Sequence, residues 1–201
     1  RYGLTLDPAS YDDARRAAIA NLQRDEELVH DEQLWIAFTE EIVTGMGGDG
    51  PGARECALDV VRQWERHENF FLYENTLPTL EALRGAHLRI GLVSNGQRDL
   101  DAFARHHRLD VDVCIGSASH GRVKPHRSIF DAALAALEAQ PGEAAMVGDS
   151  YADDIEGARA LGMRAILLDR DGLHVDETDR IDTLLALPAA LGLSAIVVSE
   201  K

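Results

Sequence analysis

The 201-residue sequence is short of cysteine and of basic charge and has no long apolar run, and each shortage excludes something. Its two cysteines, Cys56 and Cys114, cannot build a disulfide framework and stand in no metal-type spacing, so a reduced, cytoplasmic setting is expected. Lysine and arginine number 20 against 35 acidic residues, a formal net charge of −15. A nucleic-acid backbone needs clustered Lys and Arg, so nucleic acid is not an expected partner. A small phosphorylated metabolite remains compatible, because one lysine, backbone amides and a metal ion suffice to hold it. No apolar stretch approaches the roughly 20 residues of a membrane span, so no membrane partner is expected either. What is present is 45 % hydrophobic, enough for a packed core. The length suits one α/β domain, or a core domain carrying a smaller insert.

From Asp7 to about His67 the pattern is helical throughout. Tyr11, Ala14, Ala18 and Leu22 share one helical face, as do Leu34, Trp35, Phe38 and Ile42. A third helix turns Ala57, Val60, Val61 and Trp64 inward. Asp7-Pro8 puts a cap residue before proline at a first helical position, and the Gly-rich stretch Gly45 to Gly52 reads as a loop. Residues 1–72 are therefore expected to form a small antiparallel helical bundle. Beyond about Phe71, short apolar runs alternate with amphipathic helices. Strands are expected at Leu88–Val93, Val111–Ile115, Ala144–Val147 and Arg164–Leu168. Such alternation predicts an α/β core over 73–193, a parallel sheet covered on both faces, with functional loops at the carboxyl ends of its strands. The tail, 194–201, reads as a short edge strand or a frayed terminus.

Three strand ends carry chemistry. At Val93-Ser94-Asn95-Gly96, a strand runs into a hydroxyl and the amides of a following helix, an arrangement that can bind an anion; taken alone, Ser94 reads more readily as a helix cap. At Arg122-Val123-Lys124-Pro125, proline restricts the lysine backbone to an extended approach, which can aim the ammonium at phosphate or carboxylate; a surface lysine is the alternative. At Met146-Val147-Gly148-Asp149-Ser150, an apolar strand meets a carboxylate, with Asp153 and Asp154 in the next turn. Mg²⁺ takes hard oxygen ligands, often one or two carboxylates plus water and phosphate, so Asp149 suits direct ligation. Asp153 or Asp154 can hold a metal-bound water, or cap the helix. The aromatic residues Trp35, Phe38, Trp64 and Phe70 are candidates to line a crevice, though such spacing more often means core.

Ser94-Asn95-Gly96, Lys124-Pro125 and Gly148-Asp149-Ser150, followed by Asp154-Ile155-Glu156-Gly157-Ala158, together resemble the second, third and fourth motifs of the haloacid-dehalogenase-like hydrolase superfamily. The resemblance covers roughly Leu77 to Arg170, and the preceding helices resemble that family's inserted cap. It implies a Rossmann-like three-layer core and Mg²⁺-dependent hydrolysis of a phosphate monoester through an aspartyl-phosphate. It further implies that Ser94, with Asn95 and Gly96, binds the transferring phosphoryl group and that Lys124 secures it. Asp149 would ligate the metal, with Asp154 supporting the site.

The family's first motif, a strand ending in Asp-x-Asp-Gly-Thr, has no counterpart. The nearest stretch, Leu4-Thr5-Leu6-Asp7-Pro8, lacks the second aspartate. Loss of that central strand would leave its neighbours without a hydrogen-bonding partner. A segment of about 20–30 residues upstream of Arg1 is therefore expected to supply it. Without it, residues 1–201 lack a nucleophile and are expected to be inactive. The tail strand Ala195–Val198 is the alternative filler. Two further readings stand beside the phosphatase. One is carbon–halogen hydrolysis on the same fold, disfavoured by the acid at Asp149. The other is a non-catalytic binding or regulatory module, which holds if the nucleophile is truly absent.

Overall fold

The computed structural model describes residues 2–22 and 27–193, and the predicted tail strand lies outside them. The chain divides into two compact units, 1–70 and 71–201.

The first unit is helical. Asp7 caps a single 3₁₀ turn, Pro8–Ser10, by accepting the Ala9 N–H, and α1 (Tyr11–Asn21) follows directly. Next come α2 (Glu32–Gly45) and α3 (Gly52–Trp64). Helix α2 lies between the other two and so buries two faces. Phe38 and Ile42 pack on Ala14 and Ala18 of α1, while Ile36 packs on Ala57 and Val61 of α3. The expected single stripe of Leu34, Trp35, Phe38 and Ile42 is thus replaced: the fully packed positions are Ile36, Thr39, Ile42 and Val43. The small residues at 14, 18 and 57 let the helices approach closely, since a longer side chain there would need volume that is already filled. Tyr11 is nearly half exposed rather than facing inward.

The second unit alternates helix and strand: α4 (Thr76–Gly85), β1 (Gly91–Ser94), α5 (Leu100–His106), β2 (Val113–Gly116), α6 (Ser117–His120), α7 (Arg127–Ala136) and β3 (Ala145–Gly148). A wide π-type turn, Tyr151–Glu156, then leads into α8 (Gly157–Arg159). After it come β4 (Arg164–Leu168), β5 (Arg180–Ile181) and α9 (Leu187–Ala190). All pairings are parallel. β1 pairs with β2, Gly91 opposite Val113, and β3 with β4, Ala145 opposite Arg164; β5 adds to β4. Only β4 matches its expected limits. The first three strands begin one to three residues later than expected and run on into Ser94, Gly116 and Gly148.

Two apolar layers sandwich these strands, as a parallel sheet requires. On one face Val93, Ile115, Met146, Ala165 and Leu167 pack with Ile129 and Phe130 of α7 and with Ile155 and Ala158. On the other, Ile90, Val147, Ile166 and Ile181 pack with Leu83 of α4 and Leu187 of α9. Cys114 sits half-buried on β2; burial, and then the charge of Asp101, pushes its thiol up to about 11, which leaves it unreactive at neutral pH.

The strands nevertheless fall into two ladders, β1–β2 and β3–β4–β5. A cavity of about 860 Å³ lies along both β1 and β3, bordered by Gly91, Leu92 and Val93 on one side and Ala145, Met146 and Val147 on the other. Helices α4 and α7 contribute Leu80, Leu83, Phe130 and Leu134 to its walls.

Candidate active site

The three predicted strand ends are joined by direct contacts. Lys124, 7 % exposed, sets its ammonium against the Val93 carbonyl at the tip of β1 (3.1 Å) and Asp154 Oδ1 (2.6 Å). The lysine is therefore no surface residue, and it links the strand that carries Ser94 to the turn that follows β3. Its backbone is fixed as firmly. The Asn95 side chain accepts the Lys124 N–H (2.7 Å) and donates to the Lys124 carbonyl (3.1 Å), and the same Nδ2 reaches Asp153 Oδ2 at 3.3 Å.

Asp154, 3 % exposed, has both carboxylate oxygens engaged, Oδ1 by Lys124 and Oδ2 by the Ser150 N–H at 3.1 Å. A buried charge is tolerated only when paired and hydrogen-bonded in this way. Asp154 thus braces the lysine, each of its oxygens already holding one partner. The glycine of the motif is explained by the same carboxylate: a Cβ on Gly148 would stand 2.1 Å from Asp154 Oδ2. Ser150 caps the π-type turn, its hydroxyl accepting the Asp153 N–H (3.2 Å), so neither Asp149 nor Asp153 acts as the cap.

Asp149 and Ser94 differ from these braced residues. Asp149 is exposed at the tip of β3, and among the described residues its carboxylate has no hydrogen-bond or ion-pair partner. Ser94 ends β1 half-buried, and its hydroxyl likewise has none. The two are groups left available for a ligand at the carboxyl ends of neighbouring parallel ladders.

Two expectations at Ser94 are corrected. The following amides do not begin a helix, and Ser94 is not a helix cap. Helix α5 starts only at Leu100, with Asp99 as its cap accepting the Ala102 N–H (2.9 Å). The intervening chain departs from helical geometry because its groups bond elsewhere: Asn95 to Lys124, and the Gly96 N–H to Ser117 Oγ at 2.9 Å. The Gly96 amide is thereby engaged within the protein, and the Asn95 amide group with it. Burial holds the nearby Arg98 guanidinium below its ordinary value, and the group lies over the Phe103 ring.

Ser117, fully buried, had escaped notice in the sequence. Its signal was the same as that of Ser94, a serine at the carboxyl end of a strand, but β2 runs beyond the expected end at Ile115 and so delivers it there. Of the aromatic candidates, Phe38 and Trp64 pack into the helical unit's core clusters, and Trp35 meets Phe38 edge-on with ring centres 6.0 Å apart.

The family model of haloacid dehalogenase-like hydrolases matches residues 5–162, and the chain belongs to that family. Among individual relatives, it is 34% identical over 145 residues to a phosphoserine phosphatase from Thermus thermophilus, covering 69% of this chain and 55% of that protein. It is 34% identical over 115 residues to a glyceraldehyde 3-phosphate phosphatase from Methanothermobacter thermautotrophicus, covering 55% of this chain and 50% of the relative. A crystal structure of a HAD phosphatase from Thermococcus onnurineus superposes with a TM-score of 0.61 at 29% identity, over 90% of this chain and 80% of that one. The chain spans about half the length of the curated relatives it matches.

A magnesium ion fits the residues present. It is satisfied by one or two carboxylates, the remainder of its shell being water and substrate phosphate. Asp149 supplies one hard, available oxygen donor of that kind. Among the described residues no three acidic, histidine or cysteine side chains cluster to form a self-sufficient metal cage.

Proposed function

We propose that this chain is the larger part of a cytoplasmic, magnesium-dependent phosphatase that hydrolyses a small phosphorylated metabolite. The observation that carries the reading is Lys124: a buried ammonium held between Val93 O and Asp154, in a unit where the Ser94 hydroxyl follows Val93 and the Asp149 carboxylate stands exposed after β3. Burying a lysine is costly even when it is paired, so its placement argues for a site built around a fixed positive charge. The names of the relatives support phosphate esters over halogenated acids, as does an acid, Asp149, where metal-free dehalogenation needs none.

In this reading Ser94 donates its hydroxyl to one phosphoryl oxygen and Lys124 neutralises another. Asp149, with Asp153 nearby, holds Mg²⁺, which when bound withdraws charge from the phosphoryl group. The braces Asn95, Asp154 and Ser117 keep these groups in place before substrate arrives, so no reorganisation is needed at the moment of reaction. The helical unit serves as the cap that selects the substrate.

The covalent step needs an aspartate outside residues 1–201. The cavity along β1 and β3 supports this: two parallel strand edges border an apolar space walled by helices on both faces, a setting that suits one further strand of about four residues, some 13 Å long. An aspartate at that strand's carboxyl end would attack phosphorus, and the ester oxygen would leave with a proton from a neighbouring acid. Water would then cleave the acyl phosphate and release inorganic phosphate.

The test compares the protein carrying its natural upstream residues with residues 1–201 alone, using p-nitrophenyl phosphate. Mg²⁺-dependent release of p-nitrophenol by the longer protein only is expected, and Lys124→Ala in it should lower kcat by about 10²–10³. Turnover that survives EDTA or the lysine substitution would end the reading, and chloride release from a haloacid in its place would give the dehalogenase. An upstream sequence with no aspartate pair would favour a non-catalytic binding module.

A further inference from the structure

The loop between β4 and β5 is tied back onto the acidic turn by contacts that no motif accounts for. Asp169, directly after β4 and 5 % exposed, folds this loop by accepting the N–H groups of Leu173 (2.9 Å) and His174 (3.0 Å) and a bond from Arg180 (3.3 Å). The fold lays the His174 ring flat against Tyr151, with centres 5.3 Å apart and planes 8° from parallel. Further along, Glu177 accepts both terminal nitrogens of Arg159 (2.8 and 2.9 Å) and the Asp179 N–H (3.1 Å). Tyr151 is thus held on its face by His174. It is also the first residue of the π-type turn, between Asp149 and Asp153.

A π-type turn is an uncommon conformation that surrounding structure has to hold. Within the turn itself, the Asp154 and Ile155 N–H groups share the Ser150 carbonyl (2.8 and 3.4 Å), and the Asp153 N–H relies on Ser150 Oγ. We propose that Tyr151 and His174 are positioning residues: the 169–179 loop is a strap that fixes the turn through Tyr151 and so sets where the carboxylates of Asp149 and Asp153 stand. The link to metal binding rests on the phosphatase reading; the strap itself does not. The mechanism is restriction of alternatives. A ring held on its face cannot leave without breaking that stack, and Tyr151 lies two residues from each of these carboxylates.

Two measurements on residues 1–201 separate the claims. In amide hydrogen exchange, His174→Ala should speed exchange at Asp153, Asp154 and Ile155 by about three- to tenfold, while Ile166 and Leu167 of β4 stay unchanged. His174→Phe keeps the stacking and should restore wild-type rates, and Glu177→Gln should have an effect of the same direction. Unchanged rates at 153–155 in His174→Ala, an equal change in β4, or failure of phenylalanine to rescue would each overturn the strap. The second measurement is Mn²⁺ affinity by calorimetry, expected to weaken severalfold in His174→Ala and to recover in His174→Phe. Affinity unchanged by His174→Ala, with exchange at 153–155 accelerated, would overturn the link to the carboxylates and leave the phosphatase reading standing. No Mn²⁺ binding by the wild-type chain would count against Asp149 as a ligand and leave the strap to the exchange data.

Discussion

The helical unit and the α/β unit solve burial in different ways. Residues 1–70 bury alanine, valine and isoleucine, and their one buried polar side chain among the described residues, Thr39, bonds within its own helix to the Trp35 carbonyl at 2.8 Å. Their ion pairs, such as Arg54 with Glu40, lie in solvent. Residues 71–193 bury one such helical threonine, Thr79, bonded to the Asn75 carbonyl at 2.7 Å, and in addition Lys124, Asp154, Asp169 and Ser117, these four at or just beyond the carboxyl end of a strand or in a loop tied to one. A buried charge costs stability unless its partners are complete. Its concentration in one unit, at one kind of position, sets the two units apart.

The sharpest way to break this contrast is to remove one partner of the buried pair. Asp154→Ala should cost about 3–5 kcal/mol in the α/β unit, because Lys124 is left uncompensated, whereas Arg54→Ala in the helical unit should cost no more than about 1 kcal/mol. Urea unfolding followed separately for the two units reads both, and equal losses would dissolve the distinction. Gly148→Ala comes next: its Cβ would meet Asp154, with an overpacking loss of about 1–3 kcal/mol, while Gly142→Ala, with open space around it, should fall within about 0.5 kcal/mol of wild type.

Ser117→Ala strands the Gly96 N–H and should cost about 1–2 kcal/mol, against a near-neutral Thr39→Val, whose carbonyl partner keeps its helical hydrogen bond. The smallest effect is on acid stability. The Arg159 guanidinium, then the Asp179 N–H, hold Glu177 at about 2, below its ordinary 4.5. A carboxylate with a lowered folded value stabilises fully above 4.5 and loses that contribution as pH falls towards about 2. Glu177→Gln should therefore lower stability near neutrality and flatten the decline between these values. An unaltered slope in a pH series of thermal melts would show that the pair contributes nothing.

Much of the molecule was legible in its sequence, and the misses have physical causes. The switch from helical periodicity to strand–helix alternation near Phe71 coincides with the division between the two units. Lys124 and Asp149 were identifiable because a lysine before proline and an acid after an apolar strand are local patterns. Helix α2 was misjudged because a middle helix buries two faces, and a single-stripe reading assumes one. Ser94 was misjudged as the start of a helix because its neighbours bond to Lys124 and Ser117, 29 and 21 residues further on.

By itself the sequence determined the architecture: apolar periods specify helix or strand wherever they are long enough, since burial of one face is a local demand. It also placed Ser94, Lys124 and Asp149 in the segments where strands give way to loops. The tertiary structure alone decided which of those groups are available and which are braces. Asp149 and Asp154 are both aspartates of one motif, yet one stands exposed and unpartnered while the other is buried against Lys124. That difference depends on what long-range packing brings within about 3 Å of each oxygen, and no local pattern of residues encodes it.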